Sequence, residues 1–265
     1  MFGICHLSTI PVRSDPADIA EMVTQLILGD LFQVLQTNGP WSLIRISDDG
    51  YEGWIDTKQY KPLLPEEFEF MQQNSKTVSQ ELIHLATRNN GDTLLVPFGS
   101  SLPLYREQSF RIGGNAYSFT GQTRLAAEKI PLSKVLETAQ KLLNVPYLWG
   151  GRSPMGMDCS GFTQLIYKVH GLSLPRDARQ QSVLGETIDF LNEALPGDLA
   201  FFDNEEGMII HVGILLAPDL VIHASGKVRT DFIDHQGIYN SELGRYSHKL
   251  RLIKRLMPDS NKQEP

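Results

Sequence analysis

Three side chains in this sequence have the types and setting for nucleophilic chemistry: Cys159 in DCSG, His211 in IIHVGI and His223 in VIHAS. Cys159 stands just ahead of FTQLIYKVHG, where Phe162, Leu165, Ile166 and Val169 recur at i, i+3, i+4 and i+7. That period predicts an amphipathic helix ending near Gly171. A cysteine at a helix N-terminus faces unpaired backbone N–H groups and the positive end of the dipole, which favours the reactive thiolate. The same N–H groups can hold an oxyanion developing on an attacked carbonyl. A free cysteine is otherwise a small buried hydrophobe, but Asp158, Ser160 and the nearby glycines make a poor core lining.

The two histidines interrupt apolar runs that read as strands, so each needs a polar partner. The turn Ala217-Pro218-Asp219 lies midway between them. A hairpin closed there places His211 and His223 opposite each other. One can then serve as base to the thiol while the other orients it. One cysteine and two histidines could also be three zinc ligands with an open position. No close-spaced Cys or His pair supports that reading.

These residues need a scaffold. LSKVLETAQKLLN puts Val135, Leu136, Ala139, Leu142 and Leu143 on one helical face, and ARQQSVLG reads as a short helix. DLAFF, MIIHVGILL and LVIHAS follow as strands. Helix first and antiparallel strands after predicts an α+β domain from about residue 128 to 265. Ahead of it, GDLFQVLQTNG, WSLIRISDDG and YEGWIDTKQY are strand-like runs with turn signals about every 10 residues, as in a small β-barrel over residues 1–62. A polar, acidic stretch, 63–80, reads as a linker or short helix, and the β pattern returns over 81–127 as a second small barrel.

The chain has 265 residues, 24 Lys plus Arg against 31 Asp plus Glu, and a net charge of −7. That balance excludes the basic face a nucleic-acid binder uses to neutralise phosphates. Only two cysteines are present, so there is no disulfide framework; Cys5, beside His6, reads as structural. No apolar run reaches the roughly 18–20 residues that span a bilayer, and no membrane role is expected. MFGICHLSTIPVRSD lacks a basic region followed by an apolar core. The expectation is a cytoplasmic protein, or else a processed form of an exported one.

PYLWGG (146–151), MDCSGF (157–162), LPRDARQQ (174–181), LPGDLAFF (195–202), HVGI (211–214) and VIHASGKVR (221–229) stand in one order. Together they resemble the NlpC/P60 family of papain-like cysteine peptidases, over about Pro131 to Leu256. The resemblance implies a papain-like α+β domain, with Cys159 as nucleophile, His211 as general base and His223 as the orienting third residue. It implies that Tyr147 helps bind the oxyanion, and it implies no cofactor or metal.

Two SH3-like β-barrels ahead of such a domain resemble the subgroup of γ-D-glutamyl-L-diamino acid endopeptidases. That likeness implies a small murein peptide as partner, L-Ala-γ-D-Glu-L-Lys or L-Ala-γ-D-Glu-meso-diaminopimelate, cleaved to release L-Ala-D-Glu in cell-wall peptide recycling. In that subgroup the first barrel blocks one end of the cleft, so the substrate presents a free L-Ala ammonium. The matching positions are Asp158, Glu21 and Tyr51. A buried ammonium is costly unless paired, so these groups would reject a blocked N-terminus. Ser160 either contacts substrate or caps the helix, Arg176 lines the cleft or pairs locally with Asp177, and Trp149 walls the pocket or packs in the core. The alternatives are a non-catalytic binder of wall peptides and an amidase or acyltransferase on the same fold.

Overall fold

The structure is a computed structural model and describes residues 1–74, 77–126, 128 and 132–256. Pro131, where the sequence texture changes, and the tail 257–265 lie outside the described residues. The chain begins with a seven-stranded antiparallel sheet: β1 (Phe2–Cys5), β2 (Thr9–Arg13), β3 (Met22–Ile27), β4 (Leu31–Asn38), β5 (Trp41–Ile46), β6 (Glu52–Asp56) and β7 (Tyr60–Leu63), ordered β3-β2-β6-β5-β4-β1-β7. Alternation along these strands turns Ile10, Val12, Leu26, Phe32, Ile44 and Ile55 into one core. Cys5 is fully buried there, and burial pushes its thiol up, so it is chemically quiet.

The stretch 63–80, expected as a linker or short helix, holds helix α1 (Pro65–Gln73) and strand β8 (Thr77–Ser79). β9 (Ile83–Thr87), β10 (Thr93–Pro97), β11 (Ser101–Leu102), β12 (Ser109–Ile112), β13 (Asn115–Ser118) and β14 (Thr123–Leu125) follow. They form two small sheets, β10-β9-β13-β12 and β11-β8-β14. Their core of Ala86, Val96, Phe110 and Phe119 also takes Ile4, Leu28 and Leu31 from the first sheet. This second β region is therefore packed onto the first.

The C-terminal part sets helices against a larger sheet. Helix α2 (Leu132–Lys141) buries Val135 and Ala139, but the helix ends before Leu142 and Leu143, and Leu143 turns outward. After β15 (Arg152–Ser153) and β16 (Gly156–Met157) comes α3 (Cys159–Val169), every described residue of which is buried except Lys168. Gly171 follows its cap His170 with φ +82°, the left-handed ending its type favours. Helix α4 (Ala178–Gln181) is short. β17 (Glu186–Ile188), β18 (Leu199–Asp203), β19 (Ile209–Ala217), β20 (Leu220–Ser225), β21 (Lys227–Asp234), β22 (Gly237–Asn240) and β23 (Arg245–Arg255) make a sheet ordered β17-β23-β18-β19-β20-β21-β22, with β23 also pairing β22. Three of these strands match the sequence expectation; β17, β21, β22 and β23 carry no comparable apolar run.

Period-two alternation divides the sheet's two faces. Leu199, Phe201, Val212, Ile214 and Ile222 pack on Phe162, Leu165 and Ile166 of α3. Ala200, Phe202, Leu215, Val221, Ile238 and Ile253 form a second core on the other face. Each such buried side chain contributes roughly 1.5–3 kcal/mol, which holds the N-terminus of α3 against β19. No described helix is long and apolar enough to cross a membrane.

The first sheet is tied to this domain through polar contacts. Arg152, 2% exposed, donates to Asp30 at 3.0 Å, and Lys168 reaches the other Asp30 oxygen at 2.6 Å. Gln164 donates to Asp49 at 2.8 Å and Arg176 to the Thr24 hydroxyl at 2.8 Å. Gly150 shows how close the contact is. It has φ +74°, and a Cβ there would meet the Met22 carbonyl oxygen at 2.2 Å. The loop carrying Tyr147 and Trp149 can therefore press against the start of β3, next to Glu21.

Candidate active site

Asp158 caps α3, its Oδ1 accepting from the Gly161 backbone N–H at 2.7 Å. Gly161 must lack a side chain because a Cβ would lie 2.2 Å from the Gly151 carbonyl oxygen. The DCSG run thus packs tightly under the loop 146–151 and leaves Cys159 at the first turn, 8% exposed, at the floor of a cleft of about 620 Å³.

The thiol is not resting as thiolate. Burial and the adjacent Asp158 carboxylate push it up to about 12, against hydrogen bonds from the Val212 and Ser160 backbone and the Arg176 charge. This corrects the sequence expectation: desolvation in the cleft floor outweighs the helix N-terminus. The Val212 hydrogen bond also places the sulfur beside β19 at the residue following His211.

The hairpin register differs from expectation by two residues. His223 stands across from Gly213, not His211, because β19 and β20 pair Ile214 with Ile222 and accommodate a bulge before the turn. The two histidines are diagonal neighbours, and their rings still meet: His211 Nε2 lies 2.8 Å from His223 Nδ1. His223 Nε2 lies 3.0 Å from Asp231 Oδ2. Arg229 grips Asp231 with two bonds, at 2.7 and 2.9 Å, and also reaches Glu242 at 2.8 Å.

The protonation pattern follows from Asp231. Burial raises its carboxyl, but hydrogen bonds from His223 and Arg229 outweigh this and hold it below the usual carboxylate range. An ionised carboxylate only accepts, so His223 carries its proton on Nε2. His223 Nδ1 is then the acceptor, and His211 donates to it from Nε2. His211 Nδ1 is left with its lone pair free. Burial, with His223 and His248 nearby, keeps His211 well below its ordinary value, so it rests neutral.

His248 stacks on His211 with centroids 4.1 Å apart, and burial lowers it to about 4. One ligand atom each from His211, His223 and His248 lie within 4.8 Å of one another, enough to hold a metal by distance. Both nitrogens of His223 are already spent on hydrogen bonds, and a metal would have to break one. Neither Asp231 nor His248 was signalled by a sequence motif. Asp231 could have been found by alternation, as a charge on the same face as the apolar Ile233 in a strand folded back on VIHAS by Gly226.

The remaining residues named from sequence all line this cleft. Tyr147 stands on it, and burial, with Cys159 and Asp158 close by, pushes its phenol up to about 12, so it is a proton donor. Glu21 and Tyr51 line the cleft from loops at the starts of β3 and β6. Trp149 is a cleft wall and not core: it is 62% exposed and donates Nε1–H to Glu21 at 2.5 Å.

Arg176 lines the cleft, but its partner is Asp158 and not Asp177. It donates to both Asp158 oxygens and, at 2.8 Å, to the Ser160 hydroxyl. Ser160 is thereby occupied, and the helix cap is Asp158. With Gly150 and Gly161 also donating, Asp158 is saturated and neutralised. Glu21 and Asp177, the other carboxylates lining the cleft, have no such cation hydrogen-bonded to them among the described residues.

The chain matches two family profiles: the NlpC/P60 family over residues 144–246 and the bacterial dipeptidyl-peptidase SH3 domain over residues 12–59. It is similar to the γ-D-glutamyl-L-lysine dipeptidyl-peptidase of Bacillus subtilis, 29% identical over 237 residues, covering 83% of this chain and 78% of that protein. The Bacillus cereus protein of the same name is 29% identical, covering 79% of this chain and 69% of its own length. A crystal structure of an NlpC/P60 family protein from Bacillus cereus shares the fold, with TM-score 0.83 at 22% identity, over 97% of this chain and all of that one. The order of motifs, the buried cysteine at its helix start and these matches lead to one assignment: residues 144–246 are an NlpC/P60 cysteine peptidase domain, and residues 12–59 a bacterial dipeptidyl-peptidase SH3 domain.

Proposed function

We propose that the protein hydrolyses the γ-D-glutamyl–L-diamino acid bond of free murein peptides with an unblocked N-terminal L-Ala, releasing L-Ala-D-Glu. The observation that carries this reading is the placement of the cleft. One cleft is lined both by Cys159 and by Glu21 and Tyr51 of the SH3 domain. A carboxylate and a phenol near the nucleophile suit a chain terminus that carries an ammonium. The relatives' names point to the same bond.

The resting pair is a neutral thiol and a neutral imidazole, so His211 Nδ1 takes the Cys159 proton as the sulfur attacks the γ-carbonyl carbon of D-Glu. The carbonyl oxygen becomes an oxyanion, held by the Tyr147 phenol and backbone N–H groups at the start of α3. His211, now protonated, gives its proton to the amine of the leaving diamino acid. Water then adds to the thioester with His211 as base, and Cys159 leaves as thiol. His223 and Asp231 keep His211 in the productive tautomer. The ammonium of L-Ala meets Glu21, with the Tyr51 hydroxyl beside it. Asp158, already matched by Arg176, contributes shape and cleft polarity more than net charge.

The test is incubation of the purified protein with L-Ala-γ-D-Glu-L-Lys-D-Ala and its N-acetylated form, followed by mass spectrometry. Dipeptide release from the free-amine peptide, at least tenfold slower release from the acetylated one, and none with Cys159→Ala are expected. Equal rates on both peptides would remove the ammonium site from this reading, and turnover by Cys159→Ala would remove the mechanism.

A further inference from the structure

A second cavity, of about 520 Å³, adjoins the cleft along β19. Ile210, the neighbour of His211, lines both spaces. His248, which stacks on His211, lines the second one as well. The second space thus opens beside the reactive histidines, and neither Glu21 nor Tyr51 lines it.

This cavity contains a buried charge without a hydrogen bond. Asp203 is 5% exposed, and its Oδ1 has no hydrogen-bond partner. Lys249 approaches that oxygen only to 3.9 Å, and Arg251 the other to 3.7 Å, both from largely exposed side chains. A buried carboxylate left in this state is costly unless a cation reaches it. The mechanism above does not use Asp203, and no core packing requires a carboxylate there.

We propose that this cavity receives the leaving diamino acid, and that Asp203 Oδ1 binds its side-chain ammonium. The inference rests on the proposed bond specificity. Reach supports it. Asp203 pairs across the sheet with Ile209, two residues from His211, or about 7 Å along the strand at roughly 3.4 Å per residue. An extended lysine or diaminopimelate side chain places its terminal nitrogen six bonds from the scissile nitrogen, also about 7 Å. Charge supports it too. Glu21 in the cleft suits one ammonium and Asp203 suits a second, and the substrate carries two. Glu205 lines the same cavity and its negative charge offsets that of Lys249, which lines it as well.

The decisive measurement is calorimetric binding to Cys159→Ala, which separates recognition from turnover. The ligands are L-Ala-γ-D-Glu-L-Lys, its meso-diaminopimelate counterpart and the norleucine analogue, which keeps the alkyl chain and lacks the amine. At least tenfold tighter binding of an amine-bearing peptide than of the norleucine peptide is expected. Adding Asp203→Asn should reduce that preference to within twofold while the norleucine affinity stays unchanged. Equal binding of all three peptides to Cys159→Ala overturns the assignment, and this comparison holds even if the Asp203 variant does not fold. Hydrolysis of the norleucine peptide by the unsubstituted enzyme, as fast as of the lysine peptide, overturns the subsite and leaves the bond specificity standing. Failure to hydrolyse any of them overturns the bond specificity itself.

Discussion

Replacing Asp231 by Asn exchanges one oxygen for an NH₂ group in the His211–His223–Asp231 chain, with little change of volume. The carboxylate can only accept, so it fixes the His223 proton on Nε2, and through the 2.8 Å contact it fixes the His211 proton on Nε2 as well. Arg229 needs an acceptor and sits 2.7–2.9 Å from both Asp231 oxygens. In Asp231→Asn the amide oxygen takes the Oδ2 place, where it accepts from both Arg229 Nε and His223 Nε2, and the NH₂ group is set against the other Arg229 nitrogen. The tautomers are kept, and what is lost is the negative charge that steadies His223 and, through it, the imidazolium of His211. The difference is the worth of one hydrogen bond to a charged group, about 1.5–3 kcal/mol. At 1.36 kcal/mol per factor of ten, kcat should fall about 10- to 100-fold. Asp231 does not line the cleft, so KM should stay within about twofold. The assay is initial-rate release of L-Ala-D-Glu over pH 4.5–8.5, with near-ultraviolet circular dichroism as the check on folding. Losing the negative charge beside His223 also makes imidazolium formation harder, so the acid limb of the profile should move to lower pH. A variant with kcat within twofold of the parent and an unmoved acid limb would refute the role given to the Asp231 charge.

Tyr147→Phe removes a phenol that remains protonated up to about pH 12; kcat should drop roughly 100-fold with KM little changed, as for loss of one oxyanion donor. Glu21→Gln should raise KM for free-amine peptides about tenfold and leave the slow rate on N-acetylated peptide unchanged, read by the same release assay. Removing the Arg152 side chain with Ala leaves Asp30 buried with Lys168 as its remaining cation; urea titration should show a loss of about 3 kcal/mol, and a loss under 1 kcal/mol would mean the network does not hold the SH3 domain in place. His170 is buried, and burial, then the Arg124 guanidinium, lowers it from 6.5 to about 4. The unfolded chain therefore binds a proton there first, and stability present above pH 6.5 is lost as pH falls toward 4. The loss amounts to up to about 3 kcal/mol, seen as a falling Tm whose slope should be shallower in His170→Gln, with the remainder carried by His211 and His248, which burial also lowers.

Sequence legibility followed locality. The helix starting at Cys159 was legible because its apolar period and its Gly171 ending lie within a dozen residues. The hairpin carrying both histidines was legible from two apolar runs and one turn. Its register was not, since a bulge next to Ala217 shifts the pairing and no residue type announces it. Asp231 and His248 escaped because the strands that deliver them, β21 and β23, are half-exposed and carry no continuous apolar run. The thiol's protonation was misjudged for a related reason. A helix N-terminus can be read from sequence, but the desolvation that outweighs it depends on what covers Cys159.

The order of chemical groups along the chain was therefore determined by sequence: a nucleophile at a helix start, then two histidines on strands, with an SH3 domain ahead. What those groups face was decided by tertiary structure. Arg176 pairs with Asp158 instead of its neighbour Asp177 because the packing of α3 and α4 brings the two together in a buried space where an unpaired charge is costly. Glu21 and Tyr51 reach the cleft only because the SH3 domain docks through Asp30, Asp49 and Thr24, contacts separated by more than 110 residues in the chain. Such contacts reflect the summed packing of three cores, and no local pattern encodes that sum.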